Sequence, residues 1–375
     1  MDIPFQYGTL ADSQHFVDRV EERKQLKNLL GSGINVMLIS PRRWGKSSLV
    51  KMAMDELSKE DESVRVCYID AFGIRSSEDF YKSFAREVIA CASTNFEKRV
   101  QDARKFLLSF SPSISLHGGG MDTVSFDLRH IAADEDVSEI LDLPQKLAQE
   151  KGIRIIVCID EFQQLAFLSD YAALEGKLRA AWQKQHDVSY CLYGSKRHMM
   201  IDIFGNSFKP FYRFGQVIFL KKIPKTEWIP FIVKAFEGSG KHISEEQAGR
   251  VCDIVECHSW YVQQLCYFLW SETTGEVNDE LIDKCVTKII DTNLPMFQND
   301  CERLTASQIA MLRAVTDGEF HFNAAAVVTK YGLGSSQTIT RNKRSLCERD
   351  FIDKDGDSYS FTDPIFGLWF RRACM

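Results

Sequence analysis

Short, continuous apolar runs alternate with amphipathic stretches up to about residue 220, and after Pro224 the apolar runs stop. The runs are "INVMLIS" (34–40), "VRVCYIDAFG", "GIRIIVCIDEFQQL", "VSYCLYGS" and "VIFLKKI". Each reads as a strand; "INVMLIS" is of buried-strand type and "GIRIIVCIDEFQQL" is the strongest buried strand of the chain. Between them the spacing is helical. "SQHFVDRVEERKQLKNLLGSG" reads as a turn and a helix ended by Gly31 and Gly33. Further helices are predicted over "SSLVKMAMDELSKE", from Ser77 to about Phe96, ahead of "GIRIIVCIDEF", and around "YAALEGKLRAAWQKQH". Strands alternating with helices from 34 to 220 predict an α/β fold with a parallel sheet covered on both sides. One segment departs from this. "SFSPSISLHGGGMDTVSFDL" alternates on either side of Gly118, Gly119 and Gly120, which predicts a β-hairpin excursion at about residues 109–128.

From Pro224 the chain reads as four or so helices, to a break near "LPMFQNDCERLT". Beyond it come helix, turn, helix, turn, helix and a small hairpin, "FIDKDGDSYSFT". That order is a winged helix-turn-helix, with Ser335 or Ser336 capping its third helix and residues 351–362 as the wing. At 375 residues the chain is long for a single core. The expected domains are an α/β core at 1–222, a helical domain at 223–297 and a winged helix at 298–375.

Net charge is -6, so nucleic acid could be bound only through a local basic patch. The 11 cysteines are scattered and form no CxxC pair, which favours reduced, buried thiols over a disulfide or zinc framework. "MDIPFQYGTL" has neither a basic start nor an apolar core, so no export signal is expected there. No apolar run reaches the roughly 18 residues that cross a bilayer. The expectation is a cytoplasmic protein without a membrane partner.

Between the strand "INVMLIS" and the next helix lies the stretch Ser40-Pro41-Arg42-Arg43-Trp44-Gly45-Lys46-Ser47. The pattern of a phosphate-binding loop is G-x-x-x-x-G-K-[ST], and only its first glycine is missing. Such a loop needs a buried strand before it and a helix N-terminus behind it, so that backbone N–H groups wrap the phosphates. Gly45 lets the backbone approach closely. Lys46 would reach the β- and γ-phosphates, and Ser47 would ligate Mg²⁺. Ser40 in place of glycine is a modest loss unless that position needs a positive φ.

A basic turn alone could mimic this loop, but a second element supports it. The strand "IIVCIDEFQQL" ends in Asp160 and Glu161, and adjacent carboxylates at the end of a buried strand are costly without a purpose. Asp160 can hold the water shell of Mg²⁺, and Glu161 can orient and deprotonate an attacking water. Ser195, after the next strand, could sense the γ-phosphate or that water, or belong to an ordinary turn. Asp70 also ends a strand, with a turn role as reasonable as a functional one.

These motifs, in this order, resemble the archaeal-type ATPases, a branch of the AAA+-related STAND P-loop nucleoside triphosphatases. "HFVDRVEERKQL" is similar to the family's N-terminal segment, with Arg19 and Glu22 in the marked places; in relatives that segment lies against the adenine. Pro41-Arg42-Arg43 is a hallmark of the family's phosphate loop, which spans Ser40, Trp44, Gly45, Lys46, Ser47 and Ser48 here. "IDEFQ" resembles the acid motif. "KPFYRFGQVIFL" puts Arg213 in the family's arginine place, where it could neutralise charge on the γ-phosphate or form an ordinary salt bridge. Arg42 and Arg43 could pair with an acid, meet a phosphate or face water. "CHSWYVQQLC" resembles the lid-helix signature Gly-His-Pro-x-x-x-Gln, keeping His258 and Gln263 but with Cys257 for the glycine and Ser259 for the proline that packs on the base. The resemblance covers nearly the whole chain. It implies an ASCE-type sheet, a helical lid, a winged helix, and ATP or ADP with Mg²⁺ as ligands.

In the winged helix, Arg341, Lys343, Arg344 and Arg349 lie beside Glu348 on the third helix. Arg341, Lys343 and Arg344 could contact DNA phosphates, and Gln337 or Asn342 could read a base edge. Against this, residues 301–375 carry 10 basic and 9 acidic residues, which makes no broad positive field. The alternative is that this module packs on the ATPase and holds a closed state. The expected function is therefore a regulatory ATPase, slow without a protein partner, with nucleotide-regulated DNA binding and a non-hydrolysing scaffold as the other readings.

Overall fold

The protein is described here by a computed structural model covering residues 3–9, 16, 17, 19–93, 115–118, 124–127 and 134–374, with the backbone alone for 115–118, 124–127, 134–136 and 355. The chain divides into two compact units, Arg19–Arg42 with Lys46–Lys221, and Met1–Asp18 with Arg43–Gly45 and Lys222–Met375.

The first unit is a five-stranded parallel sheet with helices. Its elements are α1 (Val20–Gly31), β1 (Val36–Ile39), α2 (Lys46–Glu60), β2 (Val64–Asp70), α3 (Ser77–Ala92), β3 (Ser115–Gly118), β4 (Val124–Asp127), α4 (Asp134–Lys151), β5 (Arg154–Asp160), α5 (Tyr171–Trp182), β6 (Val188–Gly194), α6 (Arg197–Gly205) and β7 (Gln216–Phe219). The strand order is β2-β5-β6-β1-β7, every pair parallel. All four residues of β1 and all seven of β6 are buried, as is the middle of β5. Each Ile, Leu or Val so buried contributes roughly 1.5–3 kcal/mol relative to exposure. Of the five apolar runs of the sequence, those of β1, β5 and β6 are the interior strands and those of β2 and β7 the edges, and α3, α4, α5 and α6 supply the side chains that pack against them. The order also fixes the site. β6 lies between the strand before the phosphate loop and the strand bearing the acid pair, so the C-terminal ends of β1, β6 and β5 come side by side, where ligands of such sheets bind.

β3 and β4 pair antiparallel with Gly118 opposite Val124. Residues 109–114, 119–123 and 128 of the expected excursion lie outside the described residues, as does the end expected at Phe96 for α3.

In the second unit, α7 (Lys225–Gly238), α8 (Glu245–Ile254), α9 (Ser259–Glu272) and α10 (Asp279–Glu302) precede a winged helix. The latter comprises α11 (Ala306–Thr316), α12 (Ala325–Tyr331), α13 (Ser336–Glu348), the antiparallel pair β8 (Ile352–Asp355) and β9 (Ser358–Phe361), and α14 (Pro364–Cys374). Capping boxes start α8 (Ser244, Gln247) and α11 (Thr305, Gln308), and Ser335 caps α13. One apolar core runs through the helices and the winged helix, from Trp228 and Leu265 to Leu312, Ile339 and Phe370. The break expected near 294–305 arrives only at Arg303, because α10 continues through Pro295. Phe297, beyond that proline, sets its ring 5.4 Å from Phe366 and 5.6 Å from Trp369, which holds the last turns in helical form.

Candidate functional site

The buried strand β1 delivers the chain to Ser40, which is fully buried and closed on itself by a 2.9 Å bond from Oγ to the Pro41 carbonyl. Ser40 is not among the residues with positive φ, so serine fits where the pattern has glycine. The left-handed positions are Arg43 (φ 63°) and Gly45 (φ 88°). Lys46 and Ser47 then open α2, which has no acidic residue in its first turn, so the positive end of the helix is left for an anion.

Within the sheet unit these two residues meet the acid pair. Ser47 Oγ donates to Asp160 Oδ2 at 2.6 Å, and Lys46 Nζ donates to Glu161 Oε1 at 3.0 Å. The Glu161 amide donates to Asp160 Oδ1 at 2.7 Å, turning the two carboxylates apart. Glu161 has a left-handed backbone (φ 50°, ψ 39°), an uncommon conformation for a residue with a Cβ. Ser195 Oγ donates to Glu161 Oε2 at 2.7 Å, and Arg42 Nε approaches Ser195 Oγ at 3.4 Å. Gln163 Nε2 also donates to Glu161 Oε2.

The two acids respond differently. Burial raises the Asp160 carboxyl above its ordinary value, with Lys46 and Ser47 offsetting part of this. Burial presses Glu161 upward too, but the charge of Lys46 and the bonds from Ser195, Gln163 and Lys46 outweigh it, and the carboxyl ends below its ordinary value. Glu161 is therefore an anion at neutral pH, held at both oxygens.

Other expected residues have other surroundings. Arg19 is buried and donates to the Lys221 carbonyl at 2.7 Å and to Glu22 at 3.2 Å. Ser48 is buried in α2. Arg213 is exposed on the loop before β7, its guanidinium 5.1 Å from the Tyr212 ring. Asp70 accepts from the Phe72 amide at 2.9 Å and serves as the cap of a turn.

In the helical unit, Arg43 lies 4.5 Å over the Trp260 ring, and Lys222 lies 5.7 Å from the Trp44 ring. His258 begins α9, buried, and burial, with Lys222 and Arg43 nearby, lowers it to about 3, so it is a neutral imidazole. Its Nδ1 has no hydrogen-bond partner. Asn342 is corrected by the structure. It sits on the buried face of α13 with Ile339 and Leu346 and cannot reach a base edge, whereas Gln337, Thr340, Arg341 and Arg344 are exposed and Lys343 is half-buried. Arg344 is paired with Glu348 at 2.7 Å.

Sequence reasoning missed Gln163. The signal was present, since Gln163 is the polar last letter of the quoted "IDEFQ", two places after Glu161.

A family model described as an ATPase domain predominantly from Archaea matches residues 16–257, and one for a probable winged helix domain matches residues 295–372. Among solved structures the chain is similar to a Walker-type ATPase of Pyrococcus abyssi, with a TM-score of 0.70 and 17% identity over 98% of this chain and 99% of that one. It is also similar to the ORC2 protein of Aeropyrum pernix in its ADPNP–ADP complexes, with a TM-score of 0.57 and 14% identity over 96% and 94% of the two chains. At these identities the shared property is the fold. No curated protein matches the chain.

Proposed function

Because the chain belongs to the family of ATPase domains found predominantly in Archaea, we propose that it binds ATP with Mg²⁺ and hydrolyses it slowly, as a STAND-type regulatory switch. The observation that carries this reading is Glu161, an anionic carboxylate fixed by Lys46 at 3.0 Å and Ser195 at 2.7 Å beside Asp160 and Ser47. The ORC2 structure, solved with ADPNP and ADP, supports an adenine nucleotide.

The residues present fit Mg²⁺. Ser47 Oγ and the Asp160 carboxylate are hard oxygen donors 2.6 Å apart, and this ion is commonly held by one or two protein groups, waters and substrate phosphates. It would supply charge neutralisation on the transferring phosphoryl group. Loop residues Ser40–Ser48 would wrap the phosphates, with Lys46 on the β- and γ-oxygens. Glu161 would take the proton of the attacking water, Ser195 would hold Glu161 and sense the γ-phosphate, and Arg213 would add positive charge. Arg19 and His258 would border the base. In this reading residues 1–222, 223–297 and 298–375 act as core, lid and winged helix. ATP favours one lid arrangement, hydrolysis releases it, and the winged helix passes the state to a protein partner in the cytoplasm.

The test uses Glu161→Gln and Lys46→Ala. Glu161→Gln keeps MgATP binding and loses turnover by roughly 10²–10⁴-fold, while Lys46→Ala loses binding. Phosphate release that persists unchanged in Glu161→Gln would sink the hydrolase reading and favour a non-hydrolysing scaffold.

The second reading, ATP-regulated DNA binding, draws on the exposed face of α13 with Arg341 and Arg344, flanked by Lys343. Filter binding to duplex DNA at low salt decides it, since no retention there ends the idea.

A further inference from the structure

We propose that Gln163 is a positioning residue for the hydrolytic reaction: its side-chain amide fixes the Glu161 carboxylate, and Gly194 is glycine because that amide occupies the place of a Cβ. The proposal rests on Glu161 being the general base.

Gln163 lies in the 3₁₀ turn Phe162–Phe167 that follows β5, and its side chain is wholly buried. Its Nε2 donates to Glu161 Oε2, the oxygen that also accepts from Ser195. Turning the amide over would set two oxygens against each other, so the bond to Glu161 decides its orientation. Burying a whole amide costs free energy unless its hydrogen bonds are used, and a purely packing role would be filled better by an apolar side chain.

A carboxylate has about four lone-pair sites. Gln163 and Ser195 take both on Oε2. Lys46 takes one on Oε1, so Oε1 is the oxygen left to receive a proton from water. Gln163 thereby decides which oxygen acts and where it points. Glu161 needs such support because its left-handed backbone persists only where the surroundings hold it.

Gly194 ends β6 directly before Ser195. A Cβ built on it would lie 1.8 Å from Gln163 Oε1, 3.0 Å from its Cδ and 2.9 Å from Met200 Sδ. Met200 is itself fully buried. The strand end and the amide are therefore fitted to each other, and alanine at 194 would expel the amide from Glu161.

Gln163→Met keeps the volume and removes the donor. In Gln163→Met kcat falls roughly tenfold or more while the Kd for MgATP and the melting temperature hold, a split that a packing defect alone would not produce. Gly194→Ala gives the same loss of kcat, and the double variant adds little to either single change, as expected of residues acting through one contact. Should Gln163→Met not fold, Gly194→Ala carries the measurement. An unchanged kcat, or a loss of ATP affinity and melting temperature that matches the loss of kcat, overturns the proposal and leaves the hydrolase reading intact. Turnover that survives Glu161→Gln removes the general base, and this proposal goes with it.

Discussion

Lys46 Nζ stands 3.0 Å from Glu161 Oε1, with the two side chains only 8% and 17% exposed, so the phosphate-loop cation and the candidate base form one nearly buried ion pair. A nucleotide phosphate would compete with Glu161 for that ammonium. Binding would thus release the oxygen that has to accept a proton, which couples the loop to the base without a separate device.

Removing one partner of such a pair leaves the other charge uncompensated. Lys46→Ala is expected to destabilise the folded protein by about 3 kcal/mol at pH 7, measured by urea unfolding. The sign with pH follows from Glu161. Its folded value lies below its ordinary 4.5, so its stabilising contribution is full above 4.5 and disappears as pH falls through the folded value. The gap between wild type and Lys46→Ala therefore closes in acid. A gap that stays constant below pH 4 would mean that Lys46 stabilises through packing and not through Glu161.

Asp160 predicts the opposite behaviour. Burial raises its folded value above the ordinary 3.8, despite Lys46 and Ser47. The folded state therefore carries a penalty at neutral pH that begins above 3.8 and is complete above the raised value. Asp160→Asn keeps an acceptor for Ser47 and removes the charge. It is expected to melt higher than wild type at pH 7, with the difference vanishing near pH 3.8, while its Mg²⁺-dependent ATP binding weakens. Thermal melts at the two pH values check the first part, and titration with ATP with and without Mg²⁺ checks the second.

The winged helix and the helices before it share a core, and one hydrogen bond reinforces that core. Tyr261 on α9 donates to Asp363 Oδ2 at 2.6 Å, while Asp363 Oδ1 accepts from the Ile365 and Phe366 amides at the start of α14. Tyr261→Phe loses a bond to a carboxylate and should cost about 2 kcal/mol. Asp363→Ala loses the helix cap as well, and should cost about 1 kcal/mol more. Denaturation of both variants tests the order; equal losses would show that the cap contributes nothing.

How much of this was legible in the sequence depends on what each feature requires. β1, β5 and β6 announce themselves because strands buried on both faces cannot afford polar residues. Lys46, Ser47, Asp160 and Glu161 follow from spacing relative to those strands, and the structure brings all four within hydrogen-bonding reach in two pairs. Gln163 stands at the end of the quoted "IDEFQ", but it was given no role because the direction of its side chain within a 3₁₀ turn is not encoded in a pattern of apolar and polar letters. Asn342 was misread for its polarity, although its spacing from Ile339 and Leu346, three before and four after, already put it on the buried face of α13. The passage of α10 through Pro295 was hidden because tertiary packing by Phe297 overrides a local breaker.

Cys257 gives the last prediction. It stands where the family signature has glycine, and its backbone is left-handed at φ 52°, next to Glu256 at φ 50°. A Cβ at such a position costs about 1–2 kcal/mol, so the glycine of the signature has a conformational reason and this chain bears the strain. Cys257→Gly should stabilise the protein by about 1 kcal/mol, less whatever its half-buried side chain contributes. The thiol supplies a second readout. A hydrogen bond from Cys252, opposed by burial and helped by Lys222, lowers Cys257 to about 7, so in wild type one cysteine should react with iodoacetamide fastest, its rate rising through neutral pH. That phase should be absent in Cys257→Gly. Loss of stability in the variant would mean that the thiol contact with Cys252 outweighs the backbone strain, and the glycine would then need another explanation.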